Sequence, residues 1–146
     1  MVVAAPRIVV DTNVLAGALL RPGGQNRSVL RACLEERCRP IVGQTLFLEY
    51  EDVLGREDLF RKSPLSARER QRLFEAFLSA CEWVQVYYLW RPNLRDEGDN
   101  HVLELAVAGG ASAIVTNNVS DFRSSDLRFP DVRVLAPKDF LKEMAE

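Results

Sequence analysis

The chain lacks most of the features that announce a function outright. Its 146 residues contain neither GxGxxG nor GxxxxGK(S/T), so the phosphate-cradling loops of dinucleotide and nucleotide binders are missing. Cysteine is sparse. Cys33, Cys38 and Cys81 are an odd count with no CxxC pair, which argues against a disulfide framework or a thiolate zinc site and leaves them as packing or surface residues. No apolar run approaches the ~18 residues of a membrane span, and the first residues lack the charged-then-apolar layout of a signal peptide. A cytosolic protein with no membrane partner is the expectation. There is also no excess of positive charge: the formal net charge is −2 and the pI about 5.5. That balance disfavours holding nucleic acid by bulk electrostatics alone. Repeats and low-complexity tracts are absent, and His101 is the only histidine.

What is present begins with two β-branched runs that each stop at an acid-amide cluster. Arg7-Ile8-Val9-Val10 ends at Asp11-Thr12-Asn13, and Ala113-Ile114-Val115 ends at Thr116-Asn117-Asn118-Val119-Ser120-Asp121. Strands of this kind bury both faces in a parallel sheet, whose ligands collect beyond the carboxyl ends of the strands. The length suits a single domain over 1–146. Strand candidates at 7–10, 40–43, 83–88, 112–116 and 132–135 alternate with helix candidates at 14–20, 45–54, 66–80, 98–108 and 137–144. Asn26 or Ser28 is expected to cap a further helix running to Arg37. Ser66-Ala67-Arg68-Glu69 reads as a capping box, and Pro137 suits a first helical turn. Connections this long exclude hairpins, so the expected fold class is α/β, an α/β/α sandwich with a mainly parallel sheet of roughly five strands.

The acids carry the chemistry. Asp11 stands between a buried strand and a helix, where a helix cap and a ligand are equally natural readings. Glu49 shares the apolar stripe of Leu46 and Val53 rather than the polar face of Glu51 and Asp52, so it needs a partner, either an arginine or a cation. Asp96 and Asp99 have the spacing of a capping pair, and the positive end of the helix they open keeps a carboxylate ionised. Asp121 falls in a loop rich in cap-forming residues. One site at the sheet's carboxyl edge accounts for Asp11, Glu49, Asp99 and Asp121 together, whereas capping needs a separate explanation for each. Like charges ~5 Å apart repel by roughly 3 kcal/mol at an effective dielectric of 20, so the cluster requires a cation or shared protons. All-oxygen ligands select Mg²⁺ or Mn²⁺. His101, two residues beyond Asp99, is expected to point away from that helix face and not to be a ligand. Arg56, Arg61, Lys62, Arg68, Arg70 and Arg72 form a basic stretch that is either a solvated helix face or a set of phosphate contacts.

Taken in order, Val9-Val10-Asp11-Thr12-Asn13-Val14-Leu15, Glu49-Tyr50-Glu51-Asp52-Val53-Leu54, Asp96-Glu97-Gly98-Asp99-Asn100-His101-Val102-Leu103-Glu104-Leu105-Ala106 and Ile114-Val115-Thr116-Asn117-Asn118-Val119-Ser120-Asp121-Phe122 resemble a PIN domain. The resemblance is to the branch of toxin components of bacterial and archaeal toxin–antitoxin systems related to the VapC ribonucleases. It covers nearly the whole chain, and the ordered set is specific where a lone DTN is not. The resemblance implies a Mg²⁺- or Mn²⁺-dependent endoribonuclease using one or two ions, an RNA substrate, a cognate antitoxin and a homodimer. Asp11 and Asp99 then hold the first ion, Asp121 and Glu49 order the second or its waters, and Thr12 and Asn13 position water or phosphate. Asp96 caps its helix, and Arg56, Arg61, Lys62, Arg68 and Arg72 become an RNA track. One position departs from the pattern: Asn118 stands where many PIN domains place an aspartate, so Asp121 takes over that role with Asn118 as a neutral ligand or water-orienting group.

Two other readings fit parts of the chain. A non-catalytic module that keeps the acids as an RNA, metal or antitoxin dock is favoured by Asn118. A Mg²⁺ phosphohydrolase of the haloacid-dehalogenase kind is suggested by a strand-end aspartate, although that family's motif has a second aspartate where this chain has Asn13.

Overall fold

The computed structural model describes residues 5–86, 100–123 and 131–145. Within them lie five strands, β1 (Arg7–Val10), β2 (Arg39–Val42), β3 (Glu82–Trp83), β4 (Ala113–Val115) and β5 (Arg133–Leu135), all parallel and ordered β3-β2-β1-β4-β5. Ile8, Val9 and Val10 are all buried. Because successive side chains point to opposite faces of a sheet, both faces are covered, as the β-branched run requires. The α/β class and the parallel sheet follow the sequence reading. From β1 the chain builds β2 and β3 on one side, then returns to lay β4 on the other, so the β1–β4 boundary is the topological switch point.

Helices α1 (Thr12–Leu20), α2 (Gln25–Leu34), α3 (Gln44–Leu54), α4 (Ala67–Ala80), α5 (Asn100–Ala108), α6 (Val119–Arg123) and α7 (Pro137–Met144), with a 3₁₀ turn over Glu57–Phe60, complete the described residues. Helix α5 packs on β1, β2 and β4, while α1 packs on α2 and α3. The capping box of α4 is formed as the sequence indicates, with Ser66 Oγ accepting from Glu69 N and Glu69 Oε1 accepting from Ser66 N. Helix α7 matches its expected bounds.

Several expectations are corrected. Neither Asn26 nor Ser28 caps α2; Gly24, at φ 104°, turns the chain into it. Asn26 Oδ1 instead accepts from Asn117 Nδ2, and Ser28 Oγ donates to the Gly24 carbonyl. The helix ends at Leu34 rather than Arg37, because Glu36 has φ 61° and breaks it. Gly43 is not in β2 but opens α3. The 3₁₀ turn and α6 replace segments expected to be irregular. Of the strand expected at 83–88, only Trp83 is in β3, and residues 87 and 88 lie outside the described residues.

The core places an aromatic cluster behind the end of β1. Tyr50 meets Phe74 and Phe77 edge-on, and its hydroxyl donates to the Val10 carbonyl at 2.5 Å. Cys33 and Cys38 are buried with sulfurs 3.6 Å apart, and no disulfide is formed. Gly109 closes α5 in a tight position: a Cβ there would stand 2.4 Å from Ile41 Cδ1, and that side-chain end would have to shift.

Candidate active site at the β1–β4 boundary

Register decides what meets at the carboxyl end of the sheet. Val10 pairs with Val115, so the next residues, Asp11 and Thr116, leave adjacent strands side by side. The Asp11 N–H continues the ladder by donating to the Val115 carbonyl at 2.9 Å. Its side chain is buried and triply bonded: Oδ1 accepts from Thr12 N at 2.9 Å, and Oδ2 accepts from Thr116 Oγ1 at 2.7 Å and Asn13 Nδ2 at 3.2 Å. Desolvation by burial nonetheless pushes the carboxyl above its ordinary range, against the lowering effect of the Thr116 and Thr12 bonds. Asp11 is thus the cap of α1 and also a carboxylate whose hydrogen bonds only partly offset the cost of burying its charge.

Glu49 arrives from α3. Its Oε1 accepts from Thr12 Oγ1 at 2.6 Å, and its Oε2 lies 2.7 Å from His101 Nε2 on α5. Burial works against its ionised form, but the bonds from His101 and Thr12 prevail and hold the carboxyl below its usual range. The partner demanded by an acid on an apolar stripe is therefore a histidine and a hydroxyl, not an arginine. His101, nearly buried, thus belongs to the site's framework through Glu49 rather than as a ligand. Its Nδ1 is also buried, with no hydrogen-bond partner among the described residues.

The second strand end is tied to the first by amides. Asn13 Oδ1 accepts from the backbone and side-chain nitrogens of Asn117, at 3.1 and 3.3 Å. Thr116 Oγ1 accepts from Asn118 N at 3.0 Å. Thr116, fully buried, is a site residue that sequence reasoning passed over; the signal was its place opposite Asp11 once β1 and β4 pair. Asp121 stands in the first turn of α6 rather than in a loop, half-buried.

Asp11, Thr12, Asn13, Glu49, Asn118 and Asp121 line one open pocket of about 330 Å³, with Arg56 and Leu59 at its margin. Three of the four expected acids are thereby together. The third acid, Asp99, and its neighbour Asp96 lie outside the described residues. Among the described residues no group of three or more His, Cys, Asp or Glu side chains is arranged to hold a metal ion. The donor types nevertheless fit a hard cation: the pocket offers carboxylate, hydroxyl and amide oxygens, and a desolvated carboxylate is relieved by positive charge. Of the basic stretch, Arg56 borders this pocket and pairs with Asp52 at 2.7 Å. Arg61 and Lys62 line a neighbouring cleft. Arg68 and Arg72 are exposed on α4, and Arg70 lies over the Phe60 ring.

A family model for the PIN domain matches residues 7–120. The chain belongs to the PIN domain family. Among solved structures, this PIN domain is similar to VapBC2 from Rickettsia felis bound to a DNA fragment from their promoter, at 16% identity and a TM-score of 0.58 over 89% of this chain and 98% of that one. At that identity the likeness is one of fold. A search of curated proteins finds no match. No helix among the described residues is long and apolar enough to cross a membrane.

Proposed function

We propose that this PIN domain is a Mg²⁺- or Mn²⁺-dependent endoribonuclease that hydrolyses RNA phosphodiester bonds as the toxin of a toxin–antitoxin pair. The observation that carries the reading is the buried, desolvated Asp11 carboxylate facing a pocket it shares with Glu49 and Asp121. Family membership supports it, as does the fold shared with VapBC2. Asp11 and Asp99 would hold the first ion, with Asp121 and Glu49 ordering a second ion or water, and Asn118 adding a neutral oxygen. A divalent ion, when bound, supplies Lewis acidity to the phosphoryl group and acidifies water.

The chain's own residues do the rest. Both Glu49 oxygens already accept hydrogen bonds from Thr12 and His101, which fixes the carboxylate in one orientation. Thr116 and Asn13 hold Asp11 in the same way. Such preorganisation spares the reaction the cost of reorienting polar groups. A cognate antitoxin, a homodimer and action in the cytoplasm belong to the same proposal.

The test is cleavage of single-stranded RNA in Mg²⁺ or Mn²⁺, abolished by chelator and by Asp11→Asn; equal cleavage by the variant sinks the reading. RNA binding without turnover under either ion would favour the non-catalytic dock, for which the neutral Asn118 in the pocket is the supporting observation. Membership of the PIN family removes the support for a phosphohydrolase.

A further inference from the structure

The acidic pocket has a basic neighbour. Between the α1–α2 turn and the 3₁₀ turn lies a cleft of about 860 Å³ that includes Arg21, Asp58, Arg61 and Lys62. Leu59, 44% exposed, lines both this cleft and the acidic pocket, so the two adjoin at that side chain. The pocket's 330 Å³ is at the small end of ligand sites, roughly 300–1,000 Å³, and a polymer seated there must leave it. It must also tolerate three carboxylates beside its own phosphates, which calls for cations alongside.

The neighbouring cleft supplies such cations. Among the described residues Arg61 pairs only with Asp58, at 2.6 Å and with both side chains largely exposed, and an exposed pair of that kind is readily exchanged for a better anion. Arg21 and Lys62 make no ion pair among the described residues. The cleft therefore carries three cations against one carboxylate on a chain whose net charge is −2, a local field and not a bulk one. Its Gly23-Gly24 wall is bare, since a Cβ at either position would meet nothing within 4 Å.

We infer that the Arg21–Arg61–Lys62 cleft is a phosphate subsite for the single-stranded RNA flanking the scissile bond, with Leu59 as the divide over which the strand passes from the acidic pocket. The inference rests on the ribonuclease reading for the identity of the polymer, but it is tested by binding, apart from turnover. Contacts to backbone phosphate carry no sequence information, so the subsite adds affinity without sequence preference.

The experiment measures fluorescence anisotropy of a labelled single-stranded RNA of about twelve nucleotides, within the usual span of such sites, in chelator and at several salt concentrations. Arg21→Gln/Lys62→Gln is compared with wild type and with Lys138→Gln/Lys142→Gln, which removes the same charge from exposed positions on α7. The cleft variant is expected to weaken binding about tenfold and to lower the magnitude of the log-log salt slope by about 1.4, while the α7 variant stays within about twofold of wild type. Equal weakening by both variants, an unchanged cleft variant, or no RNA binding by wild type each overturns the subsite. Failure of the ribonuclease reading shows separately, as absence of turnover in Mg²⁺ or Mn²⁺ by a wild type that still binds through the cleft.

Discussion

Asp11 combines two roles that usually fall to different residues: it caps a helix, and it carries a desolvated charge into a pocket. The roles separate by substitution. Asp11→Asn keeps an oxygen for the Thr12 N–H and removes the buried charge, so the metal-free melting temperature is expected to stay level or rise, while the increment that Mg²⁺ gives the wild type through linkage disappears. Thermal melts with and without Mg²⁺ check both halves; a marked metal-free loss would mean the cap dominates. His101 acts one step back, as a positioning residue for Glu49. Losing such a supporting partner commonly costs 10–100-fold, so His101→Ala should lower kcat by roughly that factor with KM little changed, and His101→Gln, which retains a donor, should recover part of it. A His101→Ala loss confined to stability, with kcat intact, would make the histidine a packing residue. The need for a partner at Glu49 is legible in the spacing of Leu46, Glu49 and Val53; its identity is not, because His101 comes from 52 positions away and only the packing of α3 on α5 brings it within reach.

Among the elements, α3 is the one that locks the site to the sheet. The Tyr50 hydroxyl bonds the last carbonyl of β1, immediately before Asp11, in surroundings that bury the side chain and push its ionisation well above the ordinary range. Tyr50→Phe leaves that carbonyl without its partner and should cost about 1–3 kcal/mol by denaturant titration. Helix α4 is locally encoded: Ser66→Ala is expected to cost about 1 kcal/mol. Glu69 adds a pH signature. The backbone bond from Ser66, then its side chain, hold the Glu69 carboxyl below its reference value of 4.5. A depressed folded-state pKa stabilises above the unfolded value and fades as pH falls through the folded one. The stability gap between wild type and Glu69→Gln should therefore be constant above pH 4.5 and close below it, which melts across that range would show. Elements with signals of this local kind, α4 and α7, are read correctly from sequence. Helix α2 is not, because Asn26 spends its side chain on Asn117, a choice made by tertiary structure. The five-residue α6 is too short to show a period at all.

At the scale of the molecule, the crevice beyond the strand ends was readable as a place, since two β-branched runs both end in acids and amides. Its position between β1 and β4 was not, for strand order depends on which side of β1 the returning chain packs. The same topology disperses the site along the chain. Asp11 leaves β1, Glu49 rides on α3, and Thr116, Asn118 and Asp121 follow β4. A polypeptide that stops short of β4 lacks the neighbour that tethers Asp11 and the far wall of the pocket, so a fragment ending before Ala113 should show neither a Mg²⁺-dependent melting shift nor RNA cleavage. If the chain is the toxin proposed above, order of synthesis becomes a safeguard. While the ribosome is still making the first three-quarters of the chain the proposed toxin would have nothing to restrain, and its proposed inhibitory partner would be needed only when β4 emerges and slots in beside β1.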